Sequence, residues 1–202
     1  MVLSAWAPIP EALTVEQAAG AGFAGIAAVR GLDILDLSAG QTLLIEGAAG
    51  GVGTIASQVA VARGLTVIGT AREANHDYLR SLGVIPTTYG EGLTERVAAL
   101  AANGVDGALD NAGSGSLVDL IAIAGGPNRV ATLVDLSAPA VGAHLVDATS
   151  GNPSVALQEI ADLAADGKLT MTIMETLPME RIADAHQLSQ GGHVRGKLVI
   201  TI

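Results

Sequence analysis

The chain has 202 residues, with 20 acidic residues against 10 basic ones and a net charge of −10. A protein that neutralises phosphates clusters its lysines and arginines, so this balance argues against a nucleic-acid or anionic-membrane surface. The sequence contains no cysteine, which excludes disulfides, thiolate zinc sites and cysteine nucleophiles. No uninterrupted apolar run approaches the roughly 20 residues of a membrane span, and the N-terminus lacks a signal-peptide pattern, so we expect a cytoplasmic protein.

The first predicted elements are an extended segment and a helix. Residues 1–13 carry two prolines and should be extended. The spacing predicts a helix from Thr14 to about Val29, because the Thr14 side chain can cap it while Gln17 completes a capping box. Each glycine in this helix costs up to about 1 kcal/mol relative to alanine, so we interpret the glycines as allowing close approach to another backbone. A partly coiled segment is the alternative.

A glycine-rich stretch follows the first predicted strand. Residues 42–45 form an apolar strand, and the pattern after residue 53 is helical as far as Arg63, where Gly64 ends the helix. A strand, a glycine-rich turn and a helix in this order form the front half of a dinucleotide-binding unit, because the helix N-terminus presents unpaired N–H groups to a pyrophosphate. The alternative is an ordinary turn that binds no ligand.

Each small residue of this turn has a predicted role. We place Ala48 at the tight turn, Gly50 where the backbone approaches a phosphate, and Gly53 where the helix packs on the strand. The predicted phosphate-binding residues are Ala48, Ala49, Gly50, Gly51, Val52 and Gly53.

Strands and helices alternate through the rest of the chain. Strands are predicted at 65–69, 84–88, 105–109, 129–134 and 142–146, and helices at 73–82, 92–102 and 116–124. The tail is predicted to contain a helix from 152 to 167, a strand at 169–174, a helix at 178–188 and a strand at 197–202. The alternation predicts an α/β fold, a doubly wound parallel sheet (Rossmann fold) with helices on both faces. In the 3-2-1-4-5-6 strand order of this fold the strand at 84–88 is an edge, where Pro86, which cannot donate to a ladder, is tolerated.

The glycine-rich stretch resembles two families of dehydrogenases. As Ala48-x-Gly50-x-x-Gly53 it resembles the medium-chain dehydrogenase/reductase superfamily, especially its zinc-independent quinone oxidoreductase branch. Taken from Gly47, it also resembles the short-chain dehydrogenases, whose Asn-Ala-Gly turn is similar to residues 111–113. Those enzymes use a Tyr-x-x-x-Lys motif, but a leucine stands four residues after each tyrosine here, so their proton donor is missing.

The head and the tail of the chain carry the medium-chain resemblance too. The similar segments are 9–14, 40–42, 177–180, 185–186 and 192–199. In that family a β-rich, GroES-like catalytic domain precedes this segment. The resemblance therefore implies a single NADP(H)-binding Rossmann-type domain over residues 1–202, with 1–32 as a connector helix segment and 168–202 as a tail that would contact a catalytic domain.

The end of the second strand bears on the choice of cofactor. NAD-binding proteins usually place an acidic residue there to hold the ribose hydroxyls, whereas this chain has Thr70 and then Arg72. A neutral residue followed by a cation suits a 2′-phosphate, so we predict NADP(H); a solvated surface charge is the alternative for Arg72. By resemblance, Asn75 lies near that phosphate and Tyr89 packs by the adenosine end.

The ends of later strands are predicted to lie near the nicotinamide. Asn111, Ala112 and Gly113 follow the fourth strand, at the carboxyl edge where ligands gather in such sheets. By resemblance they pass under the nicotinamide ribose, and a simple turn is the alternative. Leu133 and Val134, at the end of the fifth strand, should flank the nicotinamide.

The remaining polar residues give weaker indications. Arg195 and Lys197 align with tail residues that approach the cofactor in some relatives, although a role as surface charges explains them equally well. Ser116 is predicted to cap the helix that follows it. The four histidines are far apart in sequence and form no His-x-x-x-His pair, so no metal site is predicted. No catalytic residue is assigned.

The resemblance implies an NADP(H)-dependent oxidoreductase that reduces a small-molecule quinone, enone or other carbonyl compound by hydride transfer, without zinc. This chain would supply the cofactor-binding portion. The alternative is a non-catalytic NADP(H)-binding module or sensor subunit. A short-chain reductase with unusual chemistry is a third hypothesis, which needs a proton donor near Asn111. Many relatives pair through the outer strands of the sheet, so we expect a homodimer.

Overall fold

The computed structural model describes residues 5–147 and 151–202. Its main sheet has six parallel strands, β1 (Thr42–Glu46), β2 (Thr66–Thr70), β3 (Ile85–Thr87), β4 (Gly107–Asp110), β5 (Val130–Thr132) and β6 (His144–Leu145). Their order is β3-β2-β1-β4-β5-β6, so the chain winds first to one side of β1 and then to the other. The predicted doubly wound sheet is confirmed, and Pro86 lies in the edge strand β3.

Helices cover both faces of this sheet. They are α1 (Val15–Leu35), α2 (Gly51–Ala62), α3 (His76–Ser81), α4 (Leu93–Leu100), α5 (Leu117–Ala124), α6 (Pro153–Ala165) and α7 (Ile182–Gln190). Leu43 and Ile45 of β1 belong to one apolar cluster with α1, α2, α3 and α6, whereas Leu44 belongs to a second cluster with α4 and α5. The two clusters form because successive side chains of a strand point to opposite faces.

Helix α1 begins as predicted and ends later than predicted. Thr14 and Gln17 form the expected capping box, but the helix continues past Val29 to its end at Leu35. Its glycines do permit close packing. A β-carbon at Gly25 would lie 2.9 Å from the side chain of Ile160 on α6. The coil alternative is therefore wrong for this segment.

By length and composition alone, α1 is apolar enough to cross a membrane, with a mean hydropathy of 1.4 over an 18-residue window. This is weak evidence, because a helix packed in a protein core meets the same criteria. In this chain 39% of that window is buried, and α1 packs against α2 and α6. The expected absence of membrane contact stays a prediction.

The tail forms its own small sheet, in which the last strand begins at Lys197 as predicted, whereas β7 and α7 begin later than predicted. β7 (Ile173–Pro178) pairs in parallel with β8 (Lys197–Thr201), apart from the main sheet. The expected strand at 169–174 is wrong over its first four residues, because β7 begins at Ile173. The Gln58 side-chain amide of α2 donates to the carbonyl of Thr170 and accepts from its N–H, both at 2.9 Å. The backbone of Thr170 therefore bonds to the Gln58 side chain and not to a neighbouring strand.

Candidate functional site

The glycine-rich turn joins β1 to α2 at the carboxyl edge of the sheet. Ala48 lies in the tight turn as predicted, since the turn covers residues 47–49 and is closed by a bond from the Gly50 N–H to the Gly47 carbonyl at 3.0 Å. Gly47 supplies the positive φ of +71° that the turn needs, and Ala48 is completely buried. Gly53 has its predicted role, since a β-carbon there would lie 2.7 Å from the Cα of Ala48. Only glycine at position 53 lets α2 approach β1 this closely.

The first turn of α2 is open to an anion. The N-cap residue Gly50 has no side chain, and no acidic residue lies in the first turn. The amides of Gly51, Val52 and Gly53 precede the first possible hydrogen bond of the helical ladder. Unpaired amides and the positive end of the helix dipole suit a phosphate group.

Lys197, at the start of β8, lies against this helix terminus. A β-carbon at Gly51 would lie 2.8 Å from the lysine Cδ and 2.9 Å from its Nζ. Within the described parts of the chain, the ammonium group makes no hydrogen bond or ion pair. Burial lowers the pKa of Lys197 from its ordinary value. A half-buried, unpaired lysine at the positive end of a helix is suited to bind an anion.

The tail loop, residues 191–196, crosses the glycine-rich turn. The amide of Gly196 donates to the carbonyl of Ala49 at 3.0 Å. The Arg195 guanidinium lies over the Tyr78 ring, 5.1 Å from its centroid. The Tyr78 hydroxyl bonds in turn to the hydroxyl of Thr54 on α2 at 3.1 Å. These contacts tie the tail to the nucleotide-binding unit.

A cavity of about 270 Å³ on the β2 side is lined by eight of the predicted cofactor-binding residues, which are Ala49, Gly50, Thr70, Arg72, Asn75, Tyr89, Asn111 and Ala112. Thr70, Arg72, Asn75 and Tyr89 line it, together with residues of the glycine-rich turn and the tail loop. The Arg72 side chain has no hydrogen-bond or ionic partner among the described residues. Thr70 differs, because its side chain is completely buried and its hydroxyl accepts a bond from the Gly47 N–H at 3.1 Å. It therefore shapes the turn.

Arg96 of α4 holds the segment that carries Tyr89. Its guanidinium donates to the carbonyls of Thr88, Tyr89, Gly90 and Glu91 at 2.7 to 3.3 Å. Arg96 could not be predicted from the sequence as a residue of the site, since a single basic residue on an amphipathic helix forms no recognisable motif.

Asn111 stands where the chain leaves β4. Its side-chain amide is buried, and neither Nδ2 nor Oδ1 has a hydrogen-bond partner among the described residues. An unpaired buried amide costs free energy, so each such group calls for an explanation. Asn111 lines both the cavity on the β2 side and a second cavity of about 570 Å³.

The second cavity lies on the α7 side of the tail loop. It is lined by Gly50, Gly51, Asn111 and Lys197, and by His186 and Ser189 of α7. The unpaired groups of Asn111 and Lys197 therefore meet in one cavity at the first turn of α2.

Asp110, the last residue of β4, holds the residues after Asn111. Its carboxylate accepts bonds from the N–H groups of Ala112 at 2.8 Å and Gly113 at 3.0 Å, and from the Thr132 hydroxyl at 2.8 Å. The turn that follows β4 is thus held by two backbone hydrogen bonds to the Asp110 carboxylate.

Glu46, the last residue of β1, lies beside Asp110 in the sheet register and is only 2% exposed. Its carboxylate accepts bonds from the hydroxyls of Ser114, at 2.9 Å, and Ser116. Burial, with smaller contributions from Asp110 and Asp119, raises the pKa of Glu46, and the two hydroxyls oppose this. Ser116 is the N-cap residue of α5 as predicted, but its side chain makes no capping bond, because its hydroxyl is bonded to Glu46.

The medium-chain resemblance is confirmed by comparison with known proteins. A family model described as zinc-binding dehydrogenase matches residues 84–200, which is more than half of the chain. The chain belongs to this family of the medium-chain dehydrogenase/reductase superfamily.

Two relatives and one solved structure give the extent of the likeness. The chain is 31% identical over 218 residues to a pikromycin polyketide synthase component of Streptomyces venezuelae, covering 97% of this chain and 6% of that protein. It is 28% identical over 203 residues to an NAD-dependent alcohol dehydrogenase of Sulfolobus acidocaldarius, covering 94% and 59%. The quinone oxidoreductase structure from Coxiella burnetii matches with a TM-score of 0.81 and 28% identity, covering 95% and 62%. The chain thus spans less than two thirds of each relative.

Two further predicted residues of the chain lie away from the cavities. Leu133 packs against the apolar core, and Val134 is 47% exposed. A β-carbon at Gly113 would lie 3.0 Å from the Val134 side chain, so this pair adjoins the turn after β4. Neither lines either cavity, and their place beside a nicotinamide stays a prediction.

The family name refers to zinc, which raises the question of a metal site. In residues 5–147 and 151–202, no group of three or more histidine, cysteine, aspartate or glutamate side chains is placed to hold a metal ion. The independence of this chain from zinc stays a prediction.

Proposed function

We propose that this chain binds NADP(H) and forms the cofactor-binding part of an oxidoreductase that reduces quinones, enones or related carbonyl compounds. The observation that carries the proposal is that Lys197 and Asn111 line one cavity at the first turn of α2. Neither the lysine ammonium nor the asparagine amide has a partner within the described residues. Membership of a family of oxidoreductases supports the same conclusion.

The residues present fit a dinucleotide. The unpaired amides from Gly51 onward and the Lys197 ammonium would hold the pyrophosphate, because they offer donors and positive charge at one point. The cavity lined by Arg72, Asn75 and Tyr89 would take the adenosine end. The cavity beside α7 would take the nicotinamide, whose dihydro form supplies the hydride.

The preference for NADP(H) rests on Arg72. This side chain lines the cavity on the β2 side, has no ionic partner among the described residues, and follows a strand that ends without a carboxylate. A guanidinium can bind a 2′-phosphate through two parallel bonds. One relative is named as NAD-dependent, so membership of the superfamily alone does not choose between the cofactors.

A calorimetric titration with NADPH and with NADH tests the proposal. We expect the 202-residue chain to bind NADPH at least tenfold more tightly than NADH, a difference of about 1.4 kcal/mol. Binding of neither nucleotide would reject the proposal. A mixture of the chain, NADPH and a quinone or enone then tests turnover, and tight binding without NADPH oxidation would favour the non-catalytic module.

A further inference from the structure

Two buried carboxylates fasten the β4 turn, which we define as residues 111–116. Asp110 binds the first half of the turn through the N–H groups of Ala112 and Gly113. Glu46 binds the second half through the hydroxyls of Ser114 and Ser116. Asn111 directly precedes both attachments in the chain, and its own N–H donates to the backbone carbonyl of Glu46 at 3.2 Å.

Glu46 is a poor choice for stability alone. It is almost completely buried, and the charged groups that act on it are Asp110 from β4 and Asp119 from α5, both acidic. A buried carboxylate without a cation costs free energy, and two serine hydroxyls offset this only in part. A neutral side chain of the same shape would avoid the cost of burying a charge.

A carboxylate offers something that a neutral isostere does not. Its two oxygens accept bonds from two separate hydroxyl donors at once, Ser114 through Oε1 and Ser116 through Oε2. An amide or a protonated carboxyl turns one of these acceptors into a donor. The two hydroxyl donors therefore stabilise the ionised form, and they oppose the burial that raises the pKa of Glu46.

We propose that Glu46 is a positioning residue of the cofactor site, whose carboxylate ties Ser114 and Ser116 to the end of β1 and so holds the Asn111 amide toward the cofactor. This inference rests on the proposed function, because it assigns a ligand to the unpartnered amide of Asn111. Glu46 itself does not touch the cofactor. Its effect passes through the β4 turn.

The first experiment compares the wild-type chain with Glu46→Gln in titrations with NADP⁺ between pH 5 and pH 8. At pH 8 we expect the variant to bind about tenfold more weakly, since the turn loses one acceptor and its fixed geometry. The difference should shrink as the pH falls, because protonated Glu46 then resembles glutamine. The 2′-phosphate itself titrates near pH 6, so the readout is the ratio of the two affinities at each pH.

A second variant keeps the Glu46 carboxylate and removes the two serine hydroxyls that donate to it. Ser114→Ala combined with Ser116→Ala should weaken NADP⁺ binding at pH 8 by a similar factor. If Glu46→Gln does not fold, this double variant still tests whether the bonds between Glu46 and the serines support NADP⁺ binding. The matched control is Asp119→Asn, which removes a nearby exposed carboxylate that holds no part of the turn and should leave binding at pH 8 unchanged.

The outcomes separate the inference from the proposed function. A wild-type chain that binds neither NADP⁺ nor NAD⁺ would overturn both. Normal wild-type binding with undiminished binding by the Glu46 and serine variants would overturn the inference alone. An affinity ratio that is the same at every pH would also overturn it, since a purely structural role does not depend on the charge of residue 46.

Discussion

The side chain of Lys197 lies against Gly51, the first residue of α2, so that a β-carbon at position 51 would stand 2.9 Å from the ammonium nitrogen. A cation at a helix N-terminus is repelled by the helix dipole, and burial adds a desolvation cost. An anion bound between the two would turn both unfavourable contacts into favourable ones. This contact is the basis of the first two predictions.

Alanine substitutions at two glycines of α2 should affect different quantities, NADPH affinity for Gly51 and stability for Gly53. Gly51→Ala meets the end of a flexible lysine side chain, so stability should change by less than about 0.5 kcal/mol while NADPH affinity falls about tenfold. Gly53→Ala meets the backbone of Ala48 and should cost about 2 kcal/mol of stability. Chemical denaturation and calorimetry measure the two quantities. Equal destabilisation by both would contradict the described packing.

Lys197→Met should weaken NADPH binding about tenfold without loss of stability at pH 7. Because burial lowers the pKa of Lys197, the unfolded chain binds this proton more tightly than the folded one. The free energy of unfolding of the wild type should therefore rise with pH between the lowered pKa and the ordinary value of 10.5, and this increment should vanish in the variant. Lys168→Met, at an exposed lysine paired with Asp166, is the control.

Arg72→Gln should remove the preference for NADPH. We expect NADPH affinity to fall about tenfold with NADH affinity unchanged, since only the 2′-phosphate loses its partner. Arg80→Gln, at an exposed arginine of α3 outside both cavities, should leave both affinities as they are. If Arg72→Gln weakens the two nucleotides equally, Arg72 does not read the 2′-phosphate.

Asn111→Ala should weaken NADPH binding at little cost in stability. The amide makes no hydrogen bond within the described residues, so its removal leaves no partner unsatisfied. We expect a change of less than about 1 kcal/mol in the free energy of unfolding, measured by denaturation. Asn103→Ala, at an exposed asparagine after α4, is the control. A large loss of stability would mean that Asn111 supports the fold instead.

Hydrogen exchange should be faster in β8 than in β1. β8 pairs with β7 alone and is only partly buried, whereas β1 has a strand on each side and is buried from Leu43 onward. Protection follows burial and pairing, because exchange needs the amide to open to water. Equal protection would show that the tail is as stable as the main sheet.

The sequence predicted those features that depend on short segments. Thr14 and Gln17 mark the start of α1 because a capping box lies within one turn of helix. The turn from Gly47 to Gly53 could be recognised from its spacing alone. The order of the strands followed because alternating strands and helices admit few arrangements.

Other features depended on contacts between distant segments. Ser114 and Ser116 bind Glu46 across 68 and 70 residues of chain. The sequence therefore could not show that the Ser116 hydroxyl bonds to Glu46 instead of to the backbone of α5. The segment around Thr170 has the apolar pattern of a strand, but Gln58 takes its backbone bonds from 112 residues away. Lys197 likewise meets Gly51 only because β8 begins over the turn.

The sequence by itself therefore determined the sheet, its order and the phosphate-binding turn, because backbone propensities and hydrophobic periodicity act over a few residues. Only the tertiary structure decided which polar groups are paired. Long-range contacts set the register that places Glu46 beside Asp110. Long-range packing likewise leaves the side chains of Asn111 and Lys197 without partners in the described residues. Burial then fixes the energetic consequence of each pairing, and burial is a property of the whole fold.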